Sequence, residues 1–241
     1  MKIKTKLTKI GRNPLKQKGF INPGTYKGST MIFNTFKDYL NDIKNFQKLI
    51  NSKTKLIYLE SPGTATFDII DIPFITKIAK KNKIPTVMDN TWASPLFCNP
   101  IKLGIDIIID AGTKYINGHS DVLIGFVSSN KKYSKKIRST SKTLGICPGS
   151  EEVYLAIRGL PTLEIRMREI ENNALLMAKY LLEHDLVSDV YHPALPHTKN
   201  HKIWKRDFSG STGLFSFMLK KKYSNWDTVG VDLIVSLHFL H

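Results

Sequence analysis

The middle of the chain alternates short apolar runs with stretches of helical or polar character. Four of these runs are rich in branched residues and have the length of strands: residues 55–60, 84–89, 105–110 and 122–127. Between the first two runs, Asp71 and Pro73 form a helix-start pattern, in which a capping carboxylate precedes a proline of the first turn. Strands that alternate with helical connections predict a parallel or mixed sheet covered by helices.

Three segments show helical periodicity. The helix that starts after Asp71 is predicted to place four apolar side chains on one face: Phe74, Ile75, Ile78 and Ala79. Residues 33–49 also carry apolar side chains at helical spacing. The strongest pattern lies at residues 162–184, where apolar residues recur every three or four positions and predict a long amphipathic helix.

These elements divide the chain into three predicted parts. The parts are an N-terminal arm and helix, an α/β domain, and a long helix with the start of a further domain, at residues 1–50, 51–140 and 141–241. In the last part, a linker that contains Pro193 and Pro196 leads to an alternating strand at residues 211–220. The sequence after residue 226 has no pattern that we can assign.

Composition and charge exclude several classes of protein. The 241 residues include 36 basic and 20 acidic side chains, but only six of the cations are arginine and the lysines are spread along the chain, so we do not expect a nucleic-acid partner. No apolar run is long enough to span a membrane. Cys98 and Cys147 fit neither a disulfide framework nor a metal knuckle, and the N-terminus lacks the apolar region of a signal peptide. We therefore expect a cytoplasmic protein without membrane association.

Two ionisable residues occupy positions where α/β sheets bind ligands, at the carboxyl ends of strands. Asp89 closes one apolar run, and Lys114 follows the next one after a glycine, in a turn rich in hydroxyl groups. Taken alone, Asp89 fits a helix cap and Lys114 fits a solvated lysine. Together they are the pair that pyridoxal phosphate chemistry requires, namely an amine that binds the cofactor and an acid that pairs with its ring nitrogen.

Other kinds of site have weaker support. The sequence contains no phosphate-binding loop with a lysine, no dinucleotide-binding glycine motif and no nucleophile elbow. His192, His197 and His201 lie in the proline-containing linker without a supporting cysteine or carboxylate, so we expect no metal site there. His119 and Asp121 have ligand-like spacing, but hydrogen bonds that stabilise their loop are the favoured interpretation.

Four stretches around these positions resemble, in the same order, motifs of the Cys/Met-metabolism family of pyridoxal-phosphate enzymes: ESPG at residues 60–63, MDNTW at 88–92, TKYINGHSD at 113–121 and LGICPG at 144–149. The similarity extends over residues 5–35 and 53–220 and is greatest to the cystathionine β-lyase branch. It implies an α/β fold: a partial aspartate-aminotransferase-like (fold type I) large domain with a mixed, mostly parallel sheet, followed by the start of a small α+β C-terminal domain. Residues 51–140 would then be an incomplete cofactor-binding domain.

The resemblance also implies roles for individual residues. Lys114 matches the lysine to which pyridoxal 5'-phosphate is attached, and Asp89 matches the acid that pairs with the pyridine nitrogen. Thr113 matches a hydroxyl that reaches the cofactor phosphate. Many members of the family have a serine at the position of Ala111, and the alanine here resembles the β-lyase branch.

The activity implied by the resemblance is the cleavage of cystathionine to homocysteine, pyruvate and ammonia. The implied partners are a small amino-acid substrate and other copies of the chain, in a dimer or tetramer. We do not find the family's Tyr-x-Arg phosphate clamp, its phosphate-binding Ser-Gly turn, its ring-stacking tyrosine or its C-terminal substrate-binding arginine. We therefore expect an internally deleted and C-terminally truncated chain. The alternatives are a non-catalytic remnant or interaction module, and the related cystathionine γ-synthase or γ-lyase activities.

Overall fold

The computed structural model describes residues 46–64, 66–220 and 233–236. The predicted N-terminal arm and residues 33–45 of the first predicted helix lie outside these ranges. Helix α1 (Phe46–Leu49) is the described end of that predicted helix.

The first sheet has four strands, and all four were predicted from apolar runs. They are β1 (Ile57–Glu60), β2 (Thr86–Asp89), β3 (Ile107–Ala111) and β4 (Gly125–Ser129). The order is β1-β2-β3-β4, with the first three strands parallel and β4 antiparallel to β3. The prediction of a mixed, mostly parallel sheet is therefore confirmed for the described residues.

Helix α2 (Ile72–Lys81) connects β1 to β2 and begins where the sequence predicts. The Asp71 carboxylate accepts a hydrogen bond from the Phe74 backbone N–H at 3.1 Å and caps the helix. The predicted apolar face is wrong at Phe74, which is 54% exposed. Phe74 lies about 200° around the helix from the fully buried Ile72, because successive residues are rotated by about 100°.

The core below the first sheet is formed by branched side chains of the strands and of α2. Its buried members are Ile57, Leu59, Ile72, Ala79, Ile84, Met88, Ile105 and Ile108. Because β2 is buried over Thr86, Val87 and Met88, it places Asp89, the first partly exposed residue of the strand, at the edge of this core.

Five further helices follow β2: α3 (Ser94–Phe97), α4 (Lys131–Thr143), α5 (Ser150–Gly159), α6 (Leu163–Glu183) and α7 (His201–Asp207). Helix α6 matches the predicted helix at 162–184 to within one residue at each end. Its buried side chains recur at helical spacing, at Leu163, Met167, Ile170, Ala174 and Ala178. In the described part of the chain, no helix is both long and apolar enough to cross a membrane.

The second sheet is antiparallel and consists of β5 (Val187–Tyr191), β6 (Leu214–Leu219) and β7 (Leu233–Ser236), in that order. Strand β6 lies within the predicted strand at 211–220, whereas β5 and α7 were not predicted. Helix α6 packs against β5 and β6 around a core of Ala174, Ala178, Val187, Val190, Leu195, Phe215 and Phe217.

Candidate active site

A cavity of about 210 Å³ lies at the carboxyl ends of the first two parallel strands. Glu60 and Asp89 are register partners at the ends of β1 and β2, and Lys114 follows β3 by three residues. All three side chains line the cavity. The structure therefore brings Asp89 and Lys114 to one cavity at a sheet edge where α/β proteins bind ligands.

The Asp89 carboxylate is half-buried and receives a hydrogen bond at each oxygen. The Thr91 backbone N–H donates to Oδ1 at 2.9 Å, and the Tyr58 hydroxyl donates to Oδ2 at 3.5 Å. The Thr91 hydroxyl in turn accepts from the Ala111 N–H at 2.8 Å, which joins the ends of β2 and β3. These bonds fix the orientation of Asp89 relative to the loop that follows β3.

The loop that carries Lys114 is a tight turn. The Lys114 N–H donates to the Ala111 carbonyl at 3.1 Å, and a Cβ atom at Gly112 would lie 2.2 Å from the Phe126 ring. The Arg166 guanidinium of α6 donates to the carbonyl oxygen of Tyr115 at 2.8 Å and so holds the far side of the loop. The Lys114 side chain is exposed, and no carboxylate of the described residues lies within 4.0 Å of its amine.

Glu60 lines the cavity but was not predicted as a site residue, since in the sequence it stands out only as part of the ESPG motif. Its carboxylate accepts a hydrogen bond from the Thr64 hydroxyl at 3.1 Å. Burial raises the pKa of Glu60; the Asp89 charge adds to this effect, while the Thr64 hydrogen bond and the Lys114 charge oppose it. The available signal was the one that identified Asp89, an acidic residue that closes an apolar strand.

Asp110 is a third carboxyl group close to the site. It is 6% exposed, and its Oδ1 atom has no hydrogen-bond partner among the described residues. Burial and, to a smaller extent, the charge of Asp89 raise the pKa of Asp110 to about 6. Asp110 follows Ile109, the register partner of Asp89, so the two acids stand on adjacent strands.

Thr113 does not line the cavity. Its hydroxyl donates to the Ile124 carbonyl at 3.3 Å and accepts from the Ile124 N–H at 3.0 Å. In this structure the hydroxyl therefore joins the Lys114 loop to the segment before β4. The phosphate contact that the resemblance implies for Thr113 stays a prediction.

His119 and Asp121 stabilise their loop, as the sequence favoured. His119 Nδ1 lies 2.7 Å from the Asn117 carbonyl oxygen, and the Asn117 amide donates to Asp121 at 2.8 Å. Asp121 also pairs with Arg158 of α5. The Asn117 hydrogen bond and, to a smaller extent, Arg158 lower the pKa of Asp121.

Aromatic and apolar side chains also line the cavity. They belong to Phe67, Trp92, Tyr115 and Leu214. The Trp92 indole N–H donates to the Leu214 carbonyl at 3.0 Å, which attaches the first residue of β6 to the first sheet's loops. The second sheet thus helps to close the cavity.

Comparison with known proteins supports the family resemblance seen in the sequence. The family model described as "Cys/Met metabolism PLP-dependent enzyme" (PLP, pyridoxal 5'-phosphate) matches residues 24–236. A putative cystathionine beta-lyase of Saccharomyces cerevisiae is 45% identical over 75% of this chain and 53% of its own length. The L-alanine/L-glutamate racemase of Wolbachia pipientis wMel is 42% identical over 79% of this chain and 46% of its own length.

Solved structures give the same assignment for the fold. The cystathionine gamma-lyase of Lactobacillus plantarum, complexed with L-serine, has a TM-score of 0.72 and 34% sequence identity over 75% of this chain and 48% of its own length. The expected partial fold-type-I domain is therefore confirmed. The chain spans about half the length of the curated relatives that it matches. Together with the family match, which covers most of the sequence, these similarities show that the chain belongs to the Cys/Met metabolism family of PLP-dependent enzymes.

Proposed function

We propose that the cavity is the cofactor and substrate site of a PLP-dependent carbon–sulfur β-lyase, which cleaves cystathionine to homocysteine, pyruvate and ammonia. The observation that carries the proposal is that the Asp89 carboxylate and the Lys114 amine line one cavity at the ends of neighbouring strands. The cystathionine β-lyases among the relatives support the choice of substrate.

The cavity fits one end of the cofactor better than the other. Asp89 and Lys114 supply the acid and the amine that the pyridine ring and its aldehyde need. Among the described lining residues, Lys114 is the only cation, and the hydroxyl groups belong to Ser61, Thr64, Thr91 and Tyr115. The described residues therefore fit the ring, whereas they supply no guanidinium for the phosphate.

Each residue has a defined task in this proposal. PLP, when bound, supplies an electron sink for the carbanion chemistry. Lys114 would hold PLP covalently, and its free amine would be the base that removes the α-proton of the substrate. Asp89 holds a proton on the ring nitrogen through a charge-assisted hydrogen bond. The aromatic side chains of Trp92 and Tyr115 limit access of water to these groups.

A related activity is the second candidate, because relatives with other printed names match equal shares of the chain. They include a cystathionine γ-lyase of known structure, a probable cystathionine γ-synthase and an amino-acid racemase. Removal of the α-proton by Lys114 is common to all these reactions. The homo-oligomer expected from the sequence stays a prediction, as does the alternative of a remnant without turnover.

Covalent trapping tests the assignment of Lys114. The full chain is incubated with PLP, reduced with borohydride, digested and mapped by mass spectrometry. We expect the pyridoxyl group on Lys114, its loss in Lys114→Arg, and its retention in the control Lys131→Arg, which changes an exposed lysine of α4. Equal labelling of many surface lysines in all three proteins would refute the proposal.

Product analysis then separates the candidate activities. Pyruvate and homocysteine from cystathionine identify the β-lyase, whereas cysteine and 2-oxobutyrate identify the γ-lyase. Inversion at the α-carbon of alanine or glutamate identifies a racemase. Labelled Lys114 without any turnover identifies the non-catalytic remnant.

A further inference from the structure

Tyr58 contacts the cofactor-pairing acid from outside the cavity. It lies on β1 opposite Val87, two residues before Glu60, which is opposite Asp89. Because side chains at alternate positions of a strand share a face, Tyr58 and Glu60 are on the same side of the sheet as Asp89. The Tyr58 hydroxyl reaches diagonally across to Asp89 Oδ2 at 3.5 Å, while the Thr91 N–H occupies Oδ1.

Asp89 stands among like charges. Glu60 faces it directly across the strand pair, and Asp110 is on the neighbouring strand. Like charges at directly opposite positions destabilise one another. The pKa values of Glu60 and Asp110 are both raised by burial and additionally by the charge of Asp89. Lys114 is the cation among the described residues that line the cavity.

Tyr58 is placed to offset this repulsion. A hydrogen bond donated to a carboxylate favours its ionised form. Burial raises the pKa of the Tyr58 phenol, with a further contribution from the charge of Asp89, so the hydroxyl keeps the proton that it donates. Tyr58 is 45% exposed and does not line the cavity, so any effect on a bound group passes through Asp89.

We propose that Tyr58 is a positioning residue, which holds the Asp89 carboxylate at Oδ2 and so orients it at the cavity. The inference rests on the proposed function, since it concerns the acid that pairs with the ring nitrogen of PLP. Tyr58 takes no part in bond breaking and exchanges no group with the substrate.

The first experiment measures PLP affinity of the full chain for the parent and Tyr58→Phe. Without the donor, Asp89 Oδ2 loses the partner that orients the carboxylate at the cavity. We expect a three- to tenfold loss of PLP affinity in Tyr58→Phe, because the loss of one hydrogen bond to a charged group weakens binding by about this factor. Tyr154→Phe is the matched control, because Tyr154 is 65% exposed and lies outside the cavity lining.

The second experiment needs no cofactor. The titration of Tyr58 is followed by NMR in the chain labelled at the tyrosine ζ-carbon, with Tyr58→Phe used to assign the signal. Asp89→Asn removes the charge that contributes to the raised pKa of Tyr58, so we expect that pKa to fall while the signal of Tyr154 does not move.

The outcomes distinguish this inference from the proposed function. A loss of PLP affinity in Tyr58→Phe but not in Tyr154→Phe, together with a Tyr58 titration that responds to Asp89→Asn, supports the positioning role. Equal PLP affinities for the parent and Tyr58→Phe, or a Tyr58 titration that ignores Asp89→Asn, overturn it. Failure of the parent chain to bind PLP overturns the proposed function, and the role of Tyr58 in it, even when Tyr58 responds to Asp89.

Discussion

The two sheets differ in the charge that their buried ionisable groups carry at neutral pH. At the end of the first sheet, Glu60 and Asp110 are carboxyl groups with raised pKa values, and one Asp110 oxygen has no partner among the described residues. The core of the second sheet is apolar, around Val190 and Phe215. Beside it, His192 is fully buried, and burial lowers its pKa to about 4, so the ring is uncharged at neutral pH. The buried acid next to the cavity therefore lowers the stability of the folded state at neutral pH, whereas the apolar core of the second sheet raises it.

Helix α6 connects these two regions. Near its start, Arg166 binds the carbonyl oxygen of Tyr115 beside Lys114, whereas Ala174 and Ala178, farther along, pack on the second sheet. The charged site therefore depends on an apolar core that takes no part in its chemistry. Truncating a buried apolar side chain of the second sheet should lower the free energy of unfolding. Neutralising a buried acid of the first sheet should raise it.

The largest effect is expected for Phe215→Ala in the second sheet. Phe215 of β6 is completely buried in the core that the second sheet forms with α6, and truncating such a phenylalanine costs about 3–5 kcal/mol through lost apolar contact and the remaining cavity. The free energy of unfolding, measured by urea titration, should fall by this amount. Phe74→Ala is the matched control, because Phe74 is 54% exposed and its loss should change stability by less than about 0.5 kcal/mol. Equal losses in both variants would show that the second core is not the stabilising region.

Asp110→Asn should increase the free energy of unfolding at pH 7, opposite in sign to Phe215→Ala. The folded state raises the pKa of Asp110 from 3.8 to about 6, so at pH 7 the folded chain carries a buried charge that costs about 2–3 kcal/mol. Because the pKa is raised on folding, this cost is absent below the unfolded pKa, grows as the pH rises from 3.8 to about 6, and is constant above. The variant should therefore be more stable than the parent at pH 7 and equal to it near pH 3.8.

Unfolding titrations at these two pH values test the prediction. Asp185→Asn, which alters an exposed carboxylate next to the second sheet, should change little at either pH. A stability gain that is the same at both pH values would refute the electrostatic explanation, and a loss at pH 7 would show that the ionised Asp110 has a stabilising partner.

Arg166→Met tests the connection between the two regions. The guanidinium donates to the carbonyl oxygens of Tyr115 at 2.8 Å and of Gly159 at 2.9 Å. Methionine preserves the apolar stem but leaves these carbonyls without their donor, at a cost of about 2 kcal/mol. We also expect weaker pyridoxyl labelling of Lys114, because its loop loses this support. Arg138→Met, on the exposed surface of α4, should leave both stability and labelling unchanged.

The parts of the fold that the sequence predicted are those with a periodic apolar pattern of their own. Helix α6 has buried residues at regular spacing, and its bounds were predicted to within one residue. Helix α4 has no buried residue, so no apolar face marks it. Helix α7 follows the prolines of the linker and begins after Asn200, whose backbone is left-handed with φ 64°. Such a turn depends on tertiary contacts, here the Asn200 amide that donates to the Ile69 carbonyl at 2.7 Å.

The residues of the candidate site that lie at or just after strand ends could be predicted from the sequence. Asp89 closes one apolar strand and Lys114 comes three residues after the next, and parallel strands bring such positions to one edge. The direction of the Thr113 hydroxyl was not predictable, because it is set by Ile124, which is eleven residues away in sequence. The contact between Tyr58 and Asp89 depends on the register of β1 and β2, which the pattern of each strand alone leaves open.

The smallest effect on the free energy of unfolding is expected for Asp71, a carboxylate at the surface of the first region. Asp71 caps α2 and pairs with Arg206 at 2.9 Å, and this hydrogen-bonded partner lowers the pKa of Asp71. Asp71→Ala should cost about 1 kcal/mol through the lost cap, whereas Asp71→Ser, which keeps a capping oxygen, should cost less than half of that, since exposed ion pairs contribute little. Because the folded pKa is lowered, the contribution of Asp71 should be present at neutral pH and disappear as the pH falls below 3.8, opposite to Asp110. Equal costs for the two variants in urea unfolding would assign the effect to the ion pair with Arg206 instead of the cap.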